Sequence, residues 1–121
     1  MTINLSERRR YIRIEVPVRV KVSGKTWHHE TITKNISPVG LKFEVPFKID
    51  PIEQISIKMD LPTYDKTISL KGKIIWVKKV TLEDNSPYDV GAEIIYIEDA
   101  HKNFLLRYLC DILYSSDYHS A

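Results

Sequence analysis

Two short segments carry the residues best suited to chemistry. Glu7-Arg8-Arg9-Arg10-Tyr11-Ile12-Arg13 packs four guanidiniums into seven residues, and Asn35-Ile36-Ser37-Pro38-Val39-Gly40 lies further along the chain. Arginine presents a planar fork of donors that grips a phosphate, pairs bidentately with the O6/N7 edge of guanine, or stacks on a base. Arg9 and Arg13 are four apart, so on an extended segment they point to the same side. Such a cluster suits a compact, guanine-containing anion. Together the two segments describe a nucleotide site where an arm meets a strand.

Each segment also has a simpler explanation. Ser37, Pro38 and Gly40 stand where a type I turn prefers serine, proline and glycine, so a purely structural turn between strands accounts for them. Asn35 adds an amide that can bind the turn backbone or a base edge, and Gly40 would let the backbone approach a ligand closely. A charge run near a chain end is ordinarily solvated. Tyr11 and Ile12 within this one argue instead for a segment that folds onto the domain and aims Arg9 and Arg13 at one place. Arg10 points away from its neighbours and reads as solvated charge.

The elements that must position these residues are mostly strands. Ile14, Val16, Val18, Val20 and Val22 alternate with polar residues, the period-2 pattern of a half-buried strand, with Pro17 marking an edge or bulge. His28 to Lys34 reads as a second strand. Leu41, Phe43 and Val45 give a third; Ile55, Ile57, Met59 and Leu61 a fourth. Thr67 to Val80 is a long fifth strand with Gly72 as a bulge or bend, and Asp89 to Ile97 a sixth. Six strands with short turns predict an antiparallel barrel or sandwich. The period then changes. Glu98 and Asp99 suit a helix start, and Phe104, Leu105, Tyr108, Leu109, Ile112 and Leu113 recur at helical spacing. That helix is expected to cover the open side or mouth of the barrel. Leu106 and Cys110 widen its apolar arc toward a second surface, such as a partner subunit in a homodimer. Trp27 and Trp76 read as packing residues, Trp76 the surer one.

Composition bounds the function. A chain of 121 residues, 43% hydrophobic and 28% charged, has the make-up of one globular domain. The first residues lack an apolar signal core, and no apolar run is long enough to span a bilayer, so the reading is cytoplasmic with no membrane insertion. A single cysteine, Cys110, excludes an intrachain disulfide. His28 and His29 are adjacent and face opposite sides of a strand, which speaks against a metal. No catalytic constellation stands out, so no enzyme is expected. The net charge of +2 is uneven: ten Lys or Arg against five Asp or Glu in residues 1–50, but eight against eleven in the remainder. A local basic cluster favours a compact anion over nucleic acid, which is usually held by a whole basic face.

The order Glu-Arg, Arg-x-x-x-Arg, strand, Asn-x-Ser-x-x-Gly closely resembles the PilZ domain, the bacterial receptor for cyclic di-GMP. Gly72-Lys73-Ile74-Ile75-Trp76-Val77 and Val90-Gly91-Ala92-Glu93-Ile94 are similar to the family's later strands. The resemblance covers nearly the whole chain. It implies a mainly β fold, a six-stranded antiparallel PilZ-type β-barrel with a C-terminal α-helix. It also implies that Arg9 and Arg13 contact guanine and phosphate while Asn35, Ser37 and Gly40 line the pocket. Arg8, just before the motif, implies two intercalated ligand molecules. The expected organisation is a flexible arm over residues 1–13, a barrel and helix over 14–114, and a disordered tail over 115–121. The ligand would order the arm, and the changed surface would be read by an unidentified downstream protein; no cofactor is implied. Two rivals remain, a small barrel that binds single-stranded nucleic acid and a protein-interaction domain that has kept the motifs without the ligand.

Overall fold

Each alternating segment has one face to bury, and the six faces are buried together by closing the sheet on itself. The computed structural model describes residues 12–115. The strands are β1 (Arg19–Ser23), β2 (His28–Ser37), β3 (Gly40–Val45), β4 (Gln54–Leu61), β5 (Lys66–Lys79) and β6 (Tyr88–Ile97). All neighbours are antiparallel, and the order β1-β2-β3-β6-β5-β4 forms a closed barrel. Closure settles the choice between barrel and sandwich. The interior is filled by Val18, Val20, Val22, Phe43, Ile57, Met59, Ile68 and Ile74, all buried. Each such side chain contributes about 1.5–3 kcal/mol relative to exposure.

The first alternating run is not one continuous strand. Ile14 and Val18 point inward as their spacing predicts, but Pro17 interrupts the ladder and β1 begins only at Arg19. Thr33 of β2 bridges the gap. Its hydroxyl donates to the Val16 carbonyl (2.6 Å) and accepts from the Val18 amide (3.0 Å), while its own amide donates to the Val18 carbonyl (2.9 Å). A buried threonine thus supplies the pairing that proline withholds.

β2 runs three residues further than its weak alternation predicts, through Asn35, Ile36 and Ser37, so the turn shrinks to Pro38 and Val39. Neither has a positive φ. The link is therefore an unprimed turn, as the type I reading requires. Gly72 does sit beside a shift of register, and a second shift follows on the same strand between Ile74 and Trp76, at Ile75, where no glycine stands.

The helix α1 (Asp99–Leu113) inserts Leu105, Tyr108 and Leu109 into the barrel core beside the start of β5. Glu98 occupies the N-cap position without a side-chain capping bond, and Asp99 supplies the acidic first turn. Tyr64, in the β4–β5 turn, donates its hydroxyl proton to the Asp111 carboxylate and packs on Phe104 and Tyr108. His101 Nδ1 accepts from the Ser69 amide (3.0 Å). Of the residues that widened the apolar arc, Leu106 is half-buried and Cys110 exposed. Among the described residues no helix is long and apolar enough to cross a membrane.

Candidate functional site

Ile14 joins the two sequence segments. Its amide donates to the Ile36 carbonyl (2.8 Å), and its carbonyl accepts from the Ile36 amide (2.9 Å), an isolated antiparallel bridge. In antiparallel pairing the residue before one partner lies alongside the residue after the other. Arg13 therefore stands beside Ser37, exposed, at the Asn35–Gly40 hairpin. Arg8 and Arg9 lie outside the described residues.

The hairpin residues divide into structural and available groups. Ser37 is buried; its hydroxyl accepts from the Val39 amide (3.2 Å) and lies 3.5 Å from the Gly40 carbonyl, so it braces the turn. Gly40 is glycine for a reason internal to the barrel, since a Cβ there would sit 2.6 Å from the Ala92 carbonyl oxygen of β6. The Val39 carbonyl accepts from the Ile94 amide (2.8 Å), pinning the turn to the same strand. Asn35 differs. Its side chain is half-buried and makes no hydrogen bond with any described residue.

A bulge decides where that amide points. The β2–β3 register shifts between Thr33 and Asn35, leaving Lys34 as the extra residue. Lys34 and Asn35 both come to the outer surface, while Thr33 before them and Ile36 after them stay buried. Asn35 pairs with Lys42, Lys42 with Gly91, and Gly91 with Trp76, which sets these four in one row across β2, β3, β6 and β5. The Trp76 indole lies directly over Gly91, where a Cβ would come within 2.2 Å of the ring. Lys42 Nζ stands 5.9 Å from the ring centroid.

This corrects the expectation for the tryptophans. Trp76 is half-buried on the outer face, because the bulge at Ile75 flips the phase after Ile74. Trp27 is the one that packs against the core, with its Nε1 donating to Glu53 (3.3 Å) and its ring edge on Phe47. Trp76, Lys42 and Gly91 were missed as site residues. The outward position of Lys42 was legible in the alternation of β3; that of Trp76 was not.

Beside the row lies a balanced ion cluster. Lys34 Nζ contacts Asp89 (2.6 Å) and Glu44 (3.0 Å), and Lys42 Nζ reaches the other Asp89 oxygen (3.9 Å). The hydrogen bond from Asp89 raises the Lys34 pKa, partial desolvation opposes it, and Glu44 adds to the rise. Lys34 thus stays protonated at neutral pH. Two lysines balance two carboxylates within the cluster, with Lys78, across from Asp89, and Arg13 as added cations. An amide, an ammonium, a half-buried indole and a guanidinium suit a planar polar base joined to an anion. Among the described residues no group of His, Cys, Asp and Glu is arranged to hold a metal.

A family model described as PilZ domain matches residues 7–110. No curated protein sequence matches the chain. Among solved structures, the Bacillus subtilis inhibitor of motility MotI/DgrA is similar at a TM-score of 0.73 and 18% identity, covering 85% of this chain and 50% of that one. The MrkH–c-di-GMP complex of K. pneumonia is similar at 0.69 and 15%, covering 88% of this chain and 52% of that one. The PilZ domain of Escherichia coli YcgR with c-di-GMP follows at 0.64 and 15%, covering 83% and 87%. The chain thus spans about half the length of MotI and MrkH.

Proposed function

The chain belongs to the PilZ domain family, and from that premise we propose that it is a receptor for cyclic di-GMP that acts as a binding module, not an enzyme. The observation that supports the reading is the Ile14–Ile36 bridge, two backbone hydrogen bonds that set Arg13 beside the asparagine and serine of the hairpin. Solved structures of MrkH and of YcgR with this ligand support it.

In this reading Arg9 and Arg13 grip phosphate and the guanine edge. Asn35 reads a base edge with its free amide, Ser37 and Gly40 hold the hairpin in shape, and Trp76 offers its indole face to a base. The charge balance of the barrel face explains why an arm is needed. Lys34 and Lys42 are held by Asp89 and Glu44, so most of the positive charge for a dianion must come from the arm. Arg8 adds a further guanidinium, suited to a second, intercalated ligand molecule. Each charge-assisted hydrogen bond contributes about 1.5–3 kcal/mol, against about 1–2 kcal/mol for fixing each arm residue. Binding therefore orders residues 1–13, and a downstream protein reads the altered surface.

Calorimetric titration with cyclic di-GMP, beside Arg9→Ala, Arg13→Ala and cyclic di-AMP, tests the reading. Saturable heat with the guanine ligand, lost in both variants, is the expected result, and its stoichiometry separates one ligand from two. No heat with the unaltered chain would leave a domain that keeps the motifs for shape alone. Limited proteolysis checks the arm: cleavage within residues 1–13 should be suppressed by the ligand, and equal cleavage with and without it would remove the ordering step.

A further inference from the structure

The outer face of β1, β4 and β5 carries lysines that are in no ion pair among the described residues. Lys21 of β1 stands directly opposite Lys58 of β4 in the register. Lys58 pairs in turn with Ser69, which puts Lys71 on the adjacent diagonal, and Lys73 follows along β5. Among the described residues none of these four is in an ion pair. The nearest acids are engaged elsewhere or lie at the margins. Asp60 accepts from the Thr67 hydroxyl (2.8 Å), Glu30 stands across from Lys21 on β2, and Glu93 across from Lys73 on β6.

Like charges directly opposite on a sheet destabilise it, and either lysine of the Lys21–Lys58 pair could be replaced by a neutral strand-former without disturbing the core. The geometry points to this face as a docking surface for an acidic polypeptide segment, separate from the nucleotide site. Charge complementarity selects the partner, and the residues between the lysines select its class. Ser23, Ser56 and Ser69 fill the intervening outward positions, and the Ser56 hydroxyl accepts from Lys71 Nζ (3.0 Å). They offer no apolar wedge of the kind that seats a protein in a bilayer, and Tyr96, exposed across from Lys71 on β6, is a single ring at the margin, not the run of aromatics that stacks successive bases. Lysine ammoniums on flexible stems, spaced across three strands, can each meet a carboxylate of an acidic segment laid over the barrel.

Fluorescence anisotropy with a labelled all-glutamate peptide, at low and physiological salt, tests the proposal without any nucleotide, so its outcome is independent of cyclic di-GMP binding. The peptide should bind, and Lys58→Thr with Lys71→Thr should weaken binding roughly tenfold or more, a change of about 1.4 kcal/mol. Lys79→Thr with Lys102→Thr removes the same charge elsewhere and should leave most of the affinity. Both double variants should melt no lower than the parent, which separates loss of binding from loss of fold. No peptide binding, equal losses in the two double variants, or a preference of this face for phosphatidylglycerol vesicles or an oligothymidine would each overturn it.

Discussion

The barrel has two charged outer faces that treat their lysines in opposite ways. On β2, β3 and β6, Lys34 and Lys42 are neutralised by Glu44 and Asp89 around an amide and an indole. On β1, β4 and β5, none of Lys21, Lys58, Lys71 and Lys73 is in an ion pair among the described residues, although Glu30 and Glu93 stand across from Lys21 and Lys73, and two of the lysines face each other. The paired face is shaped, with bulges at Lys34 and Ile75 that re-aim side chains. The β1–β4 register is regular, and the β4–β5 register likewise. In the proposed reading, a small ligand is met by side chains that irregular backbone positions. For the proposed polypeptide partner, charge spread over the regular β1–β4 and β4–β5 pairings would supply many contacts.

Breaking the first face alone gives the largest effect. Arg13→Ala should weaken cyclic di-GMP binding by about 10- to 150-fold, the worth of a charge-assisted hydrogen bond of about 1.5–3 kcal/mol, with an unchanged melting temperature, since Arg13 is exposed. A fall in melting temperature would make Arg13 a structural residue. Thr33→Val acts where β2 joins the two faces, leaving the Val18 amide without its hydroxyl acceptor. It should cost about 1–3 kcal/mol in urea unfolding, and no loss would mean Pro17 needs no bridge.

Asp89→Asn makes the paired face resemble the unpaired one. Stability should fall by about 0.2–1 kcal/mol, as for other exposed pairs, while cyclic di-GMP affinity should rise as Lys42 and Lys34 are released; calorimetry giving a lower affinity would assign Asp89 to the ligand. Since Lys34 has a raised pKa, its pairing with Asp89 is fully present below the ordinary lysine value of 10.5 and is lost as pH rises through the higher folded value. On the alkaline side the parent and Asp89→Asn stabilities should thus converge above the ordinary lysine range. The smallest effect belongs to Lys58→Thr, which relieves the Lys21 contact. It should stabilise the fold by about 0.2–1 kcal/mol at low salt, and the gain should shrink as salt is added.

Much of this was legible in the residues. Alternation placed all six strands and the inward valines, and the helix period identified Leu105, Tyr108 and Leu109, because burial of one face imposes a period on the sequence. The arm and hairpin motifs were visible, and the bridge between them lies where Ile14 and Ile36 both turn inward. What failed did so at bulges. One extra residue inverts every later side chain, so strict alternation put Trp76 beside Ile74 in the core when the shift at Ile75 carries it outside. The role of Gly40 was hidden for another reason: its constraint is the Ala92 carbonyl, which belongs to a strand far away in the chain.

The row Asn35, Lys42, Gly91, Trp76 has its middle step across the β3–β6 seam, where residues roughly fifty positions apart are paired. The β2–β3 and β5–β6 hairpins are each local and can form early, but such long-range pairing is the slow part of folding a β-barrel. The row is therefore absent from either hairpin alone and comes into being only when the seam closes. In the proposed reading a partly folded chain, even with its arginines and its hairpin in place, would not answer to the nucleotide, and responsiveness would arrive only once the barrel is complete.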